Sequence, residues 1–485
     1  MSNGVLPDYL SMAKPNPFAN RAPWYKNTAP TYAGIFLWFV FWSGAPSGGT
    51  ANPGGVLSQG LGVALFGLVL SALICHFLFY LAMGLMGMKT GLPLYVVGSS
   101  TYGTQGGLIM PGFLMGLLQF GWLAVNALFS SQALAPLFGA GPNDPLTKVI
   151  MVIWALGAAF IALKGIQYVA KVATYLPLIP LIILLILFLK TIGGIGDFDK
   201  AALVAAADPE GTPVGLSVWG VIALNITYVV GFFATAGAAG VDFGSNSKDE
   251  KDVQMGGLMG VAGAIIVTGG LAILIAAGGF GILGTHSLDP SNAGFIEGVM
   301  GSEAAAKWFG VLLAIAALPA ACFSSFIGAN SFKTTLPKVN PFISVGIGAV
   351  VAAILAVTGF ASSLINMFTI IGASFGPVCG AMTVEYLISG KKWSGPRKGW
   401  NMAGWISWAV GFVVGMAPLV GIANIPAAPL MAFIVGAVLF FVLAKAGLQP
   451  PVVEMATASS DAAESAPQES APEEKEEKKE EENKE

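Results

Sequence analysis

Long stretches without a charged residue dominate this sequence and leave few folds open to it. Runs such as "PLIPLIILLILFL" (177 to 189) and "MAFIVGAVLFFVLA" (431 to 444) belong to segments near the length of about 20 residues that crosses a bilayer core as a helix. Only 10% of the 485 residues are charged, whereas soluble domains carry roughly a quarter. A transmembrane β-barrel would instead alternate polar and apolar residues in short segments. The sequence therefore predicts an all-α integral membrane protein.

A hydropathy window finds about twelve membrane spans, which are numbered here in chain order. Spans one to twelve cover about residues 32–46, 60–88, 106–138, 147–163, 168–190, 214–242, 255–284, 303–331, 342–361, 364–390, 402–421 and 423–447. A cytoplasmic segment, residues 1–31, precedes this twelve-helix body of residues 32–447.

The basic residues outside the spans divide unequally between the two sides of the membrane. If the N-terminus is cytoplasmic, fifteen Lys and Arg fall on its side and four, Lys148, Lys190, Lys200 and Lys307, on the other. Cytoplasmic loops of membrane proteins carry such an excess. We therefore predict a multi-pass protein of the cell membrane with both termini in the cytoplasm.

The C-terminal segment has a composition of its own. From Glu454 to Glu485 there are 12 acidic residues and 4 Lys, a net charge of −8. A segment this rich in charge and this poor in apolar residues cannot bury enough surface to order itself. Residues 448–485 are therefore predicted to be a disordered acidic cytoplasmic tail, and a partner-binding arm is the alternative.

Two of the predicted spans contain helix-breaking residues. Span one runs "FLWFVFWSGAPSGGTANPGG", and span six runs "YVVGFFATAGAAGVDF" with Gly231, Gly237 and Gly240. Alone, each pattern is typical of close helix packing. The two spans open successive sets of five, however, and interruptions at matching positions of two halves indicate an inverted-repeat transporter. The expected parts are repeat one (about 32–190), repeat two (about 214–390) and two extra helices (about 402–447).

The stretch "LLQFGWLAVNALF" (117 to 129) in span three places Gln119, Trp122 and Asn126 near one helical face. A Trp ring offers a stacking plane, and the amides offer donors and acceptors, which suits a flat heteroaromatic cargo. The alternative is that the amides join helices and Trp122 packs in the core. Spacing alone does not separate these hypotheses.

The sequence contains no nucleophile–base pair and no cluster with metal-ligand spacing. Its two histidines, His76 and His286, have no carboxylate or second histidine at ligand spacing. His76 in span two is a candidate proton relay, although a packing role is the simpler interpretation. We therefore expect no enzyme activity, no cofactor and no nucleic-acid partner.

Several separated motifs give the sequence a family resemblance. Thr90-Gly91-Leu92, Tyr102-Gly103 and Gln119-Phe120-Gly121-Trp122 resemble motifs of the nucleobase:cation symporter-1 family, especially its cytosine-permease branch. The likeness continues through "FWSGAPSGGT" in span one, "GFFATAGAAGVDF" in span six and "GPVCGAMTVEYLISGKKW" in span ten. It covers most of the twelve-helix body and excludes the tail.

The resemblance implies a five-plus-five inverted-repeat fold with two extra C-terminal helices, and cargo held between spans one, three, six and eight. Trp122 and Phe233 would then sandwich a base, while Gln119 hydrogen-bonds its polar edge. Thr235 and an unwound backbone from Phe232 to Gly237 would add further contacts.

Span eight carries the stretch that resembles the family's cation site. In "CFSSFIGANSF", Ser324 and Ser325 fall on two hydroxyl positions that ligate sodium in sodium-coupled members, together with span-one carbonyls, here those around Phe41 and Gly44. Asn330 matches the motif's final Asn, a cargo or network ligand. Phe326 departs from the family, which usually has Asn there, and this weakens the case for cytosine itself.

Asp242 and Glu385 end spans six and ten on the predicted cytoplasmic side. Charged residues inside a membrane are costly and often functional. Because both lie close to an interface, we expect salt bridges, with Lys248 or Lys391, rather than ion binding.

These observations together predict a secondary transporter that imports a nucleobase, a cytosine-like pyrimidine or a purine, by symport with sodium or a proton. Its partners would be this small molecule, the coupling cation and the lipid bilayer. The alternatives are the same fold carrying another heterocycle, a vitamin or an amino acid, and a transporter-derived sensor that signals through its tail.

Overall fold

The computed structural model describes residues 6–37, 42, 44–46, 48, 51–173, 175–207, 211–284, 288–289 and 291–455. Within them, nine helices are long and apolar enough to cross a membrane: Leu61–Thr90, Leu108–Phe138, Pro145–Lys164, Leu178–Asp197, Val218–Ala238, Glu250–Leu283, Glu303–Thr335, Leu364–Ile388 and Ala428–Lys445. Two shorter apolar helices, Pro341–Val357 and Met402–Met416, occupy spans nine and eleven. The predicted all-helical membrane fold is confirmed, with a helix at each of spans two to twelve.

Span one is interrupted in the part of the chain that the structure describes. It opens with a short helix, Thr28–Phe36, and later continues as a turn at Gly44–Pro46 and a 3₁₀ helix at Gly55–Leu57. Gly54, with φ of +77°, lies in the left-handed region that glycine adopts without strain. The predicted break in span one is therefore confirmed, while Phe41 lies outside the described residues.

Span six is not unwound where the sequence predicted. Val218–Ala238 is one continuous α-helix, and the interruption comes at Ala239, before a short helix at Gly240–Gly244. Its glycines serve close packing: a Cβ on Gly231 would lie 2.5 Å from the Phe368 carbonyl oxygen, and one on Gly237 would lie 2.9 Å from Phe79 Cβ. The expectation of an open backbone over Phe232 to Gly237 was wrong, because these glycines admit neighbouring spans rather than break the helix.

The spans pack as two groups. In the first group, spans three, four, eight and nine contact one another. In the second group, the opening helix of span one packs with span seven, and span two packs with spans six and seven. Span ten lies against spans six and twelve. Small residues allow the closest approaches, since a Cβ on Gly310 of span eight would overlap the Ala133 carbonyl of span three. The boundary between the groups therefore runs between span three and spans six and ten.

Short helices connect the spans on both sides. They are Leu94–Val97 and Ser99–Tyr102 between spans two and three, Ile166–Ala173 at the start of predicted span five and before its membrane-crossing helix, Lys200–Ala206 before span six, and Ala293–Met300 between spans seven and eight. The last described residues, up to Met455, run beyond span twelve.

Candidate functional site

Four aromatic side chains meet at the boundary between the two groups of spans, and we call Trp122, Tyr228, Phe232 and Phe368 the aromatic cluster. The Trp122 ring lies edge-on to Phe232, with centroids 5.0 Å apart, and tilted against Phe368 at 5.8 Å. Phe368 also makes edge contacts with Phe232 at 5.7 Å and with Tyr228 at 5.8 Å. Spans three and ten thus contribute one ring each, and span six contributes two, to one place.

Thr235 contacts this cluster, and Gln119 lies one helical turn from it on span three. The Trp122 indole Nε1 donates to Thr235 Oγ1 at 3.4 Å, which joins span three to span six. Gln119 is buried one turn before Trp122, and its amide nitrogen donates to the Met115 thioether, a weak acceptor, at 3.5 Å. The Gln119 amide therefore keeps most of its hydrogen-bonding capacity, and Thr235 offers a hydroxyl beside the Trp122 indole.

Phe233 takes a different place from Phe232. It is fully buried, stacks on Phe36 at 5.8 Å and contacts Tyr32 at 5.7 Å, both in the opening helix of span one. Successive helical residues point about 100° apart, so only one of the two rings can face span three. The structure brings Phe232, rather than the predicted Phe233, against Trp122.

The other polar residue of the span-three face joins helices. Asn126 is buried; its amide donates to the Ala317 carbonyl at 3.0 Å, and its oxygen accepts from Trp154 Nε1 at 2.9 Å. Asn126 thereby ties span three to spans eight and four. Asn126 therefore joins helices, as the second hypothesis for this face predicts, whereas Trp122 lies in the aromatic cluster.

The predicted cation ligands lie on two elements. The Ser325 side chain is fully buried, and its hydroxyl has no hydrogen-bond partner among the described residues, while Ser324 is half-buried. Gly44 lies against the aromatic cluster, because a Cβ there would come within 2.9 Å of Tyr228 Oη. Asn330 is exposed, five residues beyond Ser325 on the helix and on another face.

Sequence reasoning did not single out Phe368 or Tyr228. Phe368 is completely buried, and both residues lie in largely apolar helices that are buried on most sides. Nothing in the pattern distinguishes such a ring from an ordinary core residue.

The acidic residues at the ends of spans six and ten bind partners other than the predicted lysines. Asp242 accepts from the Leu94 backbone amide at 2.9 Å. Glu385 accepts from the hydroxyls of Ser389 and Ser394 and lies 3.8 Å from the Arg397 guanidinium. Glu385 thus has the expected salt bridge, although with Arg397 instead of a lysine, whereas Asp242 accepts from a backbone amide and the suggested lysine partners were wrong.

A cavity of about 270 Å³ lies away from the aromatic cluster, where spans three and eight meet the loop before helix Ala293–Met300. Asp289 is the charged residue in its lining, and burial raises the pKa of this carboxyl to about 6, although hydrogen bonds from Ser291 oppose the rise. None of the predicted site residues lines it.

No family model and no curated protein matches the sequence. Solved structures do match it. One is Mhp1, a nucleobase-cation-symport-1 family transporter, in a closed conformation with bromovinylhydantoin bound. It is 16% identical in sequence, the match covers 92% of this chain and 97% of that chain, and the TM-score is 0.61. The inward-facing conformation of Mhp1 gives 16% identity, 92% and 96% coverage and a TM-score of 0.68. A Na⁺-coupled sialic acid symporter in a substrate-bound outward-open state gives 13% identity, 92% and 93% coverage and a TM-score of 0.54.

At these identities the likeness shows the fold. The chain has the fold of these membrane transporters along nearly its whole length, and its structural neighbours are transporters rather than enzymes. This agrees with the inverted-repeat transporter fold that the sequence predicts.

Proposed function

We propose that the protein is a secondary active transporter that imports a small, flat, uncharged heterocycle, with a nucleobase as the first candidate, by symport with a cation. The aromatic cluster carries this proposal. In this cluster the rings of Trp122, Phe232 and Phe368 come from spans three, six and ten and meet at the boundary between the two groups of helices. Alternating-access transporters bind their cargo at such a boundary.

The chemistry of the cluster favours a neutral ring. The polar groups at the cluster are the Gln119 amide, the Thr235 and Tyr228 hydroxyls and the Trp122 indole nitrogen, and no charged side chain among the described residues hydrogen-bonds to any of them. An amino acid would require a partner for its carboxylate and its ammonium group. Stacking against Trp122 with one amide at the edge suits a heteroaromatic ring.

Membership of the nucleobase:cation symporter-1 family is part of the proposal. It is supported by the sequence motifs and by the overall likeness to Mhp1, whose structure holds bromovinylhydantoin. Phe326, half-buried on span eight where the family usually has Asn, favours a cargo less polar than cytosine.

Sodium is the coupling ion that the residues support better. The sequence has no Asp or Glu in the middle of any predicted span, which leaves His76 as the candidate proton carrier. The Ser325 hydroxyl, buried without a described partner, is a hard oxygen ligand of the kind that sodium prefers. A cation bound there would favour the cargo-binding state, and cargo would in turn raise the affinity for the cation.

The test is thermal stabilisation of the purified protein by a panel of nucleobases and hydantoins, each in sodium and in choline chloride. A ligand that binds only the folded state raises its melting temperature by mass action. A sodium-dependent shift with one heterocycle supports both parts of the proposal. A shift with an amino acid or a vitamin and with none of the heterocycles would overturn the cargo assignment and leave the transporter fold intact.

A further inference from the structure

The inner end of span ten, the end predicted to face the cytoplasm, holds a buried carboxylate with incomplete pairing. Glu385 is fully buried, and its Oε1 accepts from the Ser389 hydroxyl at 3.1 Å and from Ser394. Its second oxygen, Oε2, is buried and has no hydrogen-bond partner among the described residues. Ser100 lies close to the carboxylate, but its hydroxyl donates to the Val97 carbonyl at 3.1 Å.

Arg397 connects this carboxylate to two other parts of the chain. Its Nη2 lies 3.8 Å from Glu385 Oε1, and its Nη1 donates to the Pro450 carbonyl at 3.0 Å. Its backbone nitrogen donates to Ser99 O at 3.2 Å, and its carbonyl accepts from Thr104 N at 2.7 Å. Arg397 therefore contacts span ten, the segment that leads into span three, and the C-terminal residues.

Residues 449–455 form a short extended segment that we call the C-terminal strap. Pro451 accepts from Lys398 N at 3.0 Å, and Val453 N donates to the Pro396 carbonyl at 2.7 Å. Met455, only 7% exposed, anchors the end of the strap. Residues 448–455 belong to the segment expected to be a disordered tail, yet they are held by these bonds, because prolines and apolar residues precede the acidic run.

The segment that the strap contacts is hydrogen-bonded in turn to the segment that leads into span three. Gln105 N donates to the Gly399 carbonyl at 3.0 Å, and Gly399 N donates to Thr104 Oγ1 at 2.9 Å. This segment leads into span three, which carries Gln119 and Trp122, whereas span ten carries Phe368. The strap thus braces the inner ends of two spans whose side chains form the candidate site.

Three polar atoms of this network are buried without partners among the described residues: Glu385 Oε2, Arg397 Nε and Gln449 Nε2. Such groups are costly in a low-dielectric interior, and each requires an explanation. The separation of 3.8 Å between Arg397 and Glu385 is wide for an ion pair, so a small shift would close it. Closer approach of Arg397 and Glu385 would improve the pairing of both groups.

The geometry points to a latch: the C-terminal strap, acting through Arg397 and Glu385, positions the inner ends of spans three and ten. Arg397 is then a positioning residue, because it acts on the cargo site through span ten. This inference rests on the proposed transport function for its role in the cycle, whereas the bracing of span ten is testable without any cargo.

The experiment compares two truncations of the full chain, one ending at Met455 and one ending at Leu448. Both remove the acidic tail, and only the second removes the strap. Three native cysteines, Cys75, Cys322 and Cys379, are buried on spans two, eight and ten, so maleimide alkylation of each reports local opening of its span.

Loss of the strap is expected to raise the alkylation rate of Cys379 at least threefold and to leave Cys75 and Cys322 unchanged. Arg397→Gln should do the same, and truncation at Leu448 should add nothing further in that variant, because both changes break one network. Lys398→Gln is the matched control, since the strap contacts Lys398 through its backbone. An unchanged Cys379 rate, or equal increases at all three cysteines, would overturn the latch.

The second readout is uptake of the cargo that stabilises the protein. Removal of the strap should lower the maximal rate at least threefold and change KM less than twofold, because Arg397 does not contact cargo. Faster Cys379 alkylation with normal uptake would overturn the positioning role. If no cargo is transported by the full chain, the proposed function fails, and the alkylation pattern still decides whether the strap braces span ten.

Discussion

Trp122 and Asn126 show how much one helical turn decides at the scale of single residues. They lie four residues apart on span three, so the sequence places them near one face. In the structure, Trp122 meets Phe232 and Phe368 at 5.0 and 5.8 Å, while Asn126 bonds to a carbonyl of span eight at 3.0 Å. The residues of other spans that a side chain contacts, and not its position in the sequence of span three, decide whether it stacks or joins helices.

Replacement of Trp122 tests the stacking role. Trp122→Ala removes a ring plane and is expected to cost about 2 kcal/mol of cargo affinity, or roughly 30-fold. Trp122→Phe keeps a plane, loses the bond to Thr235 and should weaken binding less. The measurement is the cargo Kd by titration calorimetry. Trp308→Ala, at a side chain that is 64% exposed, is the control that should bind normally; normal affinity in Trp122→Ala would exclude the stacking model.

Replacement of Ser325 tests the cation site. Ser325→Ala removes a buried hydroxyl that has no described partner, so the fold should tolerate the change. The sodium concentration for half-maximal thermal stabilisation is expected to rise by about tenfold, equivalent to about 1.4 kcal/mol. Ser374→Ala is the matched control, because that hydroxyl bonds to its own helix at Ile370 O. An unchanged sodium response in Ser325→Ala would remove this residue from the site.

At the scale of elements, span six shows that glycine has two structural roles in a membrane helix. The sequence cannot tell whether Gly231 and Gly237 unwind the backbone or admit a neighbour, since both uses occur. The structure shows close approach, with the Phe368 carbonyl 2.5 Å from the position of a Cβ on Gly231. Phe368 therefore reaches the aromatic cluster because span six has no side chain at residue 231.

A methyl group at Gly231 tests this packing. Gly231→Ala would meet backbone atoms of span ten and is expected to destabilise the protein by about 1–3 kcal/mol. Gly346→Ala on span nine has open space around its Cβ, so it should be neutral or gain up to about 1 kcal/mol of helix propensity. Thermal unfolding of the two variants provides the comparison. A Gly231→Ala protein as stable as Gly346→Ala would contradict the close approach.

At the scale of the whole molecule, the distribution of charge predicts how the two groups of spans sit in the membrane. In the predicted topology, fifteen basic residues fall on the side of the termini and four on the other. We expect a C-terminal fluorescent-protein fusion to fluoresce and an alkaline phosphatase fused after Gly141, between spans three and four, to be active. Phosphatase activity from a fusion at the C-terminus would reverse the orientation.

Hydropathy, charge and the break in span one were determined by the sequence itself, because they follow from local composition and from the length needed to cross a bilayer. The all-helical membrane fold and the place of Trp122 and Gln119 on one helix were predictable for the same reason, whereas the transporter fold was predicted from the family resemblance and from two paired interruptions, of which span six does not have the one expected. Which ring faces Trp122, why span six stays helical and what Asn126 binds were decided by the tertiary structure. Each depends on atoms from another span, such as the carbonyl of Phe368 against Gly231, and hydrophobic pattern carries no information about which side of an entirely apolar helix meets which neighbour.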